Sequence, residues 1–334
     1  MSGVCEYSTL VIRVGTSGWH YPRGRGTWNG VFYPARGRTK GFDELSYYAE
    51  HFNTVELNST FYGQPRAEVC HDWARRTPSG FEFSVKLFQK FTHPKMYAER
   101  LAGQLPAGDD QVARRQIIAA LGRPTSADLD EFKRGIDPLV AAGKLGPLLA
   151  QFPASFKKGE AEQEYLQILL EGFRGYPLAV ELRHSSWSDR FAETLGLLNA
   201  FEAAWVQIDE PQFRFSIRQN RIPNVKGFYY VRLHGRNAAQ WWRHDAPEDR
   251  YNYYYTQEEL QPFGDALDAA SHLVKKAYLY TNNHFSAQGI ANAVMIKRQL
   301  GQPIDGEYPP EFVARYPQIR DAVRVRATLD LRQG

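Results

Sequence analysis

A chain of 334 residues with 43% hydrophobic and 14% aromatic content can bury a large core, which excludes a disordered or low-complexity protein. Its 41 basic residues against 37 acidic leave a net charge of +4, scattered along the chain, a poor match to a dedicated nucleic-acid binder with its concentrated basic patch. No run of about 18 apolar residues occurs, and the start, MSGVCEYSTLVIRVG, lacks the apolar core and cleavage site of a signal peptide, so a soluble cytoplasmic protein without membrane contact is expected. Cys5 and Cys70 are too few for a disulfide framework and lack metal-ligand spacing, so both are expected to be reduced.

The first strand runs from Val11 to Gly15, and GTSGW, Gly15 to Trp19, ends it with turn chemistry. Trp19, His20, Tyr21, Trp28, Phe32 and Tyr33 crowd the glycine-rich loop that follows, which leads into no helix and so is no dinucleotide fingerprint. Phe42 to Phe52 has helical spacing, and Thr54 to Tyr62, TVELNSTFY, reads as a strand with Glu56 and Asn58 on one face. Strand, helix, strand is the unit of a parallel sheet. Helix Ala67 to Arg76 and strand Phe81 to Leu87 continue it, with Ser84 and Lys86 sharing a face. The polar segment Glu99 to Asp130, with one helical piece at Val112 to Leu121, reads as an elaborated crossover. Helix Phe132 to Ala142, strand Leu145 to Phe152 and helix Gln163 to Phe173 come next. Strand Leu178 to Arg183 pairs Glu181 with Arg183 on one face, and helix Ser188 to Asn199 precedes strand Ala204 to Asp209. Strand Phe228 to His234 pairs Arg232 with His234 and opens a long aromatic loop, Gly235 to Thr256. Helix Glu258 to Val274, strand Lys276 to Thr281 and helix Gln288 to Leu300 complete the alternation.

Eight strands alternating with helices predict an α/β fold, a single-domain (β/α)8 TIM-like barrel, in preference to an open doubly wound sheet. Residues 1–10 form an N-terminal segment, 11–300 the barrel and 301–334 a tail without strong period. In such a barrel the strand ends converge on one mouth. By alternation and late position in their strands, Ser17, Glu56, Asn58, Lys86, Gln151, Glu181, Arg183, Asp209, Arg232, His234 and Asn282 would stand there. Glu56, Glu181, His234 and Asp209 are the candidate acid/base groups, with His234 as proton shuttle, and Lys86, Arg183 and Arg232 suit an anion clamp. The same residues also have structural readings. Glu181 and Arg183 fit an internal ion pair equally well, and Asn282-Asn283-His284 fits a turn whose Asn caps the next helix. The aromatic loops fit core packing as well as stacking on a sugar or base. A divalent ion on Glu56, Glu181, Asp209 or His234 is chemically reasonable, but no spacing demands one, and no cofactor is expected.

GTSGW, the FYP at Phe32, TVELNSTFY, FEFSVK, the FTH ending at His93, the QFP at Gln151, VELRHSSW from Val180 to Trp187, YVRLHG at Tyr230, RYNYYYTQEEL from Arg250 and the NNH at Asn282 together resemble the domain-of-unknown-function 72 family, the YecE-like barrel proteins. The resemblance spans about residues 11–300 and implies a TIM-like barrel, and it carries no established activity. Trp19, Tyr62, His184, Trp187 and Asn283, which stand in these motifs, join the candidate ligand-binding set. The expected function is acid/base catalysis, hydrolysis or isomerisation, on a small anionic or sugar-like polyhydroxylated ligand. Its rivals are a protein that binds or processes single-stranded nucleic acid and a non-enzymatic small-molecule sensor. The sequence leaves oligomeric state open.

Overall fold

A computed structural model describes residues 11–35, 41–103, 111–219, 227–270 and 273–327. The readings of Cys5, of the 1–10 segment and of 104–110 within the crossover lie outside them. Chain packing falls into two compact units, one of residues 1–56, 207–213 and 220–334, the other of residues 57–206 and 214–219.

In the first unit the strands are β1 (Val11–Thr16), β2 (Thr54–Leu57, whose last residue falls in the second unit), β7 (Gln207–Asp209), β8 (Tyr229–Leu233) and β9 (Lys276–Thr281), in the order β2-β1-β9-β8-β7. All pairings given for them are parallel, with Thr16 opposite both Val55 and Thr281, and Arg232 opposite Tyr280. In the second unit β3 (Glu82–Lys86), β4 (Leu145–Gln151), β5 (Leu178–Glu181) and β6 (Ala204–Trp205) lie in sequence order, also parallel. Parallel strands joined by helices and buried on both faces define α/β architecture, and the sequential strand order is that of the (β/α)8 TIM-like class predicted from the strand count. No described helix is long and apolar enough to cross a membrane.

The main departures from the sequence reading are local. The strand starting at Thr54 stops at Leu57, and Ser59–Tyr62 is a helical turn with Asn58 at its N-cap, φ −99° and ψ −18°. Asn and Ser prefer such positions to strand interiors, so Asn58 does not continue the face of Glu56. The strand predicted over Ala204 to Asp209 is two, because residues on either side of Val206 pair with different neighbours, β5 and β8. Pro94–Ala102 is a helix, and the helix expected from Phe132 begins at Ser126. Its start is a reciprocal cap: Asp128 N–H donates to Thr125 Oγ1 at 3.3 Å, and Thr125 N–H donates to Asp128 Oδ2 at 2.7 Å. The tail also builds structure. Short strands at Glu307–Tyr308 and Arg324–Val325 and the helix Pro310–Arg315 place Tyr308 and Phe312 in the buried aromatic cluster of Phe32, Tyr47 and His51. Elements of two to six residues are too short to show a period.

Gly135, inside helix Ser126–Ala141, allows the close approach of the segment before Ala67. A Cβ there would stand 2.2 Å from the Pro65 carbonyl oxygen. Gly135→Ala, which in an open helix would stabilise by about 1 kcal/mol, is therefore expected to destabilise, by about 1–3 kcal/mol. The midpoint of urea unfolding at unchanged slope checks this.

Candidate functional site

The strand ends of the first unit carry a chain of buried polar groups. Glu56 is fully buried, and Arg232 grips it with Nη2 on Oε1 at 2.6 Å and Nε on Oε2 at 2.9 Å. The Tyr230 hydroxyl donates to Oε2 at 2.8 Å. Tyr230, Arg232 and His234 alternate along β8 and its extension, which is why all three reach one side. Arg232 Nη1 lies 3.4 Å from His234 Nε2, and the Asn282 amide lies 2.9 Å from His234 Nδ1. Both ring nitrogens thus face buried partners. A neutral imidazole accepts at only one nitrogen, and guanidinium is always a donor. The atom of Asn282 that faces the ring is Nδ2, so Nδ1 is the nitrogen that accepts from the amide.

Asp209 is as fully engaged. Arg236 bonds both of its oxygens at 2.8 and 3.0 Å, and the Tyr255 hydroxyl donates to Oδ2 at 2.7 Å. Tyr255 also accepts from Gly235 N–H at 2.8 Å, and Arg236 reaches Glu259 at 3.2 Å. Burial and the neighbouring Asp209 charge push the Tyr255 hydroxyl well above its ordinary pKa, and the hydrogen bond to Asp209 pushes Arg236 upward. Asn283 is held by donating to Tyr253 O and Asn292 Oδ1, both at 2.7 Å. It fixes the loop after β9 and caps no helix through its side chain. Ser17 is 1% exposed, and its Oγ meets no polar group among the described residues. Trp19 is half-buried, with its carbonyl accepting from Tyr33.

The second unit gathers the rest. Gln151 at the end of β4 stands opposite Glu181 at the end of β5. Arg183 bonds Glu181 Oε1 through Nε at 2.7 Å and Nη2 at 2.6 Å, while its own side chain stays 17% exposed. Lys86, half-buried at the end of β3, holds its ammonium 4.2 Å from the centre of the Phe61 ring. The edge of the same ring meets His93 at 5.0 Å. His93 Nδ1 is tied to Thr92 Oγ1 at 2.9 Å, and no described residue bonds Nε2. Burial, then the Lys86 and Arg183 charges, lower its pKa to about 3 against the pull of Glu181, so the imidazole is neutral near pH 7. Three predicted ligand residues have other surroundings. Tyr62 is 67% exposed and contributes its carbonyl to Arg100. His184 caps the turn Ser185–Ser188 by accepting from Ser186 N–H. Trp187 is fully buried against Phe156, to whose carbonyl its indole donates at 2.8 Å.

The sequence reading omitted Tyr230, Arg236, Tyr255, His93 and His284. Tyr230 was visible in the alternation of FYYVRLH and His93 in the FTH motif, whereas Arg236 and Tyr255 come from a loop with no period. Among the described residues no group of three or more His, Cys, Asp or Glu is arranged to hold a metal ion.

A family model described as a protein of unknown function, DUF72, matches residues 13–313. The UPF0759 protein YunF of Bacillus subtilis is 26% identical over 311 residues, 89% of this chain and 96% of YunF. YecE of Escherichia coli K12 is 30% identical over 145 residues, 43% of each chain. Among solved structures, a DUF72 family protein of Thermotoga maritima has a TM-score of 0.70 at 34% identity, covering 87% of this chain and all of its own. One of Enterococcus faecalis has a TM-score of 0.69 at 24% identity, covering 88% and 97%.

Removing one member of a buried ion pair strands its partner's charge. Glu56→Gln is expected to lower stability by about 3–5 kcal/mol, and Glu56→Leu with Arg232→Met by much less than the sum of the single changes. Chemical unfolding of Glu56→Gln, Glu56→Leu, Arg232→Met and the double variant checks this. The depressed His93 pKa has a signed consequence: as pH falls the unfolded chain takes the proton first, near pH 6.5, and the native ring only near 3. Stability from the neutral ring is complete above about pH 6.5 and declines as pH falls from there toward 3. His93→Gln should flatten that acid limb in urea titrations run at stepped pH.

Proposed function

The chain belongs to the DUF72 family, and on that footing we propose that it is an enzyme acting by acid/base chemistry, hydrolysis or isomerisation, on a small anionic or polyhydroxylated ligand. The observation that carries this reading is the array at the ends of β3, β4 and β5. Two incompletely buried cations, Lys86 and Arg183, accompany Glu181 and an imidazole whose Nε2 is uncommitted. Lys86 and Arg183 offer point-charge and planar recognition of an anion. His93 is neutral near pH 7, so its ring can accept a hydrogen bond or proton from a reacting group, with Glu181 partly offsetting the Lys86 and Arg183 charges that hold it neutral. Glu56, His234 and Asp209 form a separate hydrogen-bonded frame within the first unit, engaged by Arg232, Asn282, Tyr255 and Arg236. No metal enters this reading.

Calorimetry with inorganic phosphate and with citrate tests the anion contact. Saturable binding of at least one is expected, weakened about 10- to 100-fold in Lys86→Met, the loss that goes with about 1.5–3 kcal/mol for a charged hydrogen bond. Absence of binding, or equal binding by the variant, would overturn the anion assignment. A panel of chromogenic esters, phosphates and glycosides then tests turnover, which His93→Gln should abolish without loss of the folded baseline.

A further inference from the structure

We propose that the end of β9 and the turn after β1 form a subsite for an uncharged polyhydroxylated group, a sugar or polyol, bound through His284 and Ser17. Three observations converge there. The first is the rigid placement of His284. Trp28 Nε1 donates to its carbonyl at 2.7 Å, and Ala287 N–H does so at 3.1 Å. The two residues before helix Gln288–Gln299, Ser286 and Ala287, both have left-handed φ, 51° and 62°. Neither is glycine, so the conformation is strained, and it is held by Ser286 N–H on Gly26 O at 2.7 Å and by the Tyr316 hydroxyl on Ser286 O at 2.6 Å.

The second is the orientation of the ring. Tyr21 stacks on one side at 4.3 Å and 12°, and Tyr251 lies at 4.7 Å and 38°. Tyr21 is itself fixed, with its hydroxyl donating to Ser17 O. One tyrosine therefore ties the His284 ring to the Ser17 turn. The third is a polar deficit at both ends of that tyrosine. No described residue hydrogen-bonds either nitrogen of the His284 ring, and Ser17 Oγ, in a residue 1% exposed, has no polar partner. Packing alone explains an aromatic wedge at position 284, and phenylalanine would supply it too; histidine, half-buried, adds two nitrogens that no described residue engages, and the buried, unpartnered Ser17 hydroxyl beside it is costly.

The chemistry of these groups selects the ligand class. Burial lowers the His284 pKa to about 4, so the ring offers one donor and one acceptor. Ser17 offers the same pair. Of the loop's two arginines, Arg23 and Arg25, the latter is paired with Asp249 at 3.0 Å. Matched donor and acceptor groups beside tyrosine faces complement hydroxyls better than a carboxylate, which can only accept, or a phosphate, whose charge they do not meet. The inference rests on the reading above that the strand ends bind ligand, but not on Lys86 or Arg183.

The test is saturation-transfer NMR and thermal shift with glucose, ribose and glucitol across the millimolar range, on the full chain. At least one is expected to bind saturably. His284→Phe, which keeps the stack, and Ser17→Ala are each expected to weaken it at least about ten-fold, the loss of one good hydrogen bond. If His284→Phe does not fold, Ser17→Ala decides alone. No saturable binding by the parent protein, or undiminished binding by the folded variants, overturns the subsite. Lys86→Met separates the two readings. It should weaken anion binding about 10- to 100-fold and leave sugar binding unchanged, so each can fail alone.

Discussion

The buried pair of Glu56 and Arg232 is the constraint on which the rest of the first unit's polar structure depends. A carboxylate and a guanidinium that are 0% and 1% exposed persist only if nearly every lone pair and N–H finds a partner. Three hydrogen bonds of 2.6 to 2.9 Å meet that demand, the third from Tyr230. Fixing the guanidinium plane in this way directs Nη1 toward His234, and His234 in turn engages Asn282 at the end of β9. The ends of β2, β8 and β9 are thereby locked by one continuous chain of polar contacts, and aliphatic packing could not have set their mutual orientation so narrowly.

That chain reassigns chemical roles. Ionisable residues at strand ends suggest reactive groups, yet a carboxylate gripped by arginine and tyrosine is poorly placed to move protons, and both Glu56 and Asp209 are held so. The groups left uncommitted are two imidazoles that burial keeps neutral, His93 in the second unit and His284 in the first. In the first unit charge holds geometry, while the neutral imidazoles of His93 and His284 keep nitrogens that no described residue engages. This division has a physical basis: an ion pair gains from being permanent, whereas an imidazole that burial keeps neutral offers one donor and one acceptor.

The same division separates what was readable from residues and what was not. Alternation found Glu181 with Arg183 and Arg232 with His234, because the period of a strand is two and both pairs lie at strand ends. It placed Asn58 on a face it does not occupy, because Asn-Ser starts a helical turn that ends the strand at Leu57. His184 and Trp187 stood out by motif, but motif membership does not distinguish a cap or a packed indole from a ligand contact. Arg236 and Tyr255 were invisible, since the Gly235 to Thr256 loop has no period from which a direction could be inferred.

The order of strands and helices, the α/β class and the strand-end location of the polar residues followed from the amino-acid sequence alone, since local periodicity carries them. TVELNSTFY already placed Glu56 on a strand, whereas the structure ends that strand at Leu57, one residue beyond it. Only the tertiary structure decided that Glu56 is gripped by residues 174 and 176 positions away. It also decided that His93 and His284 keep nitrogens no described residue engages. Hydrogen-bond commitment is a property of distances between elements, and periodicity within an element does not encode it.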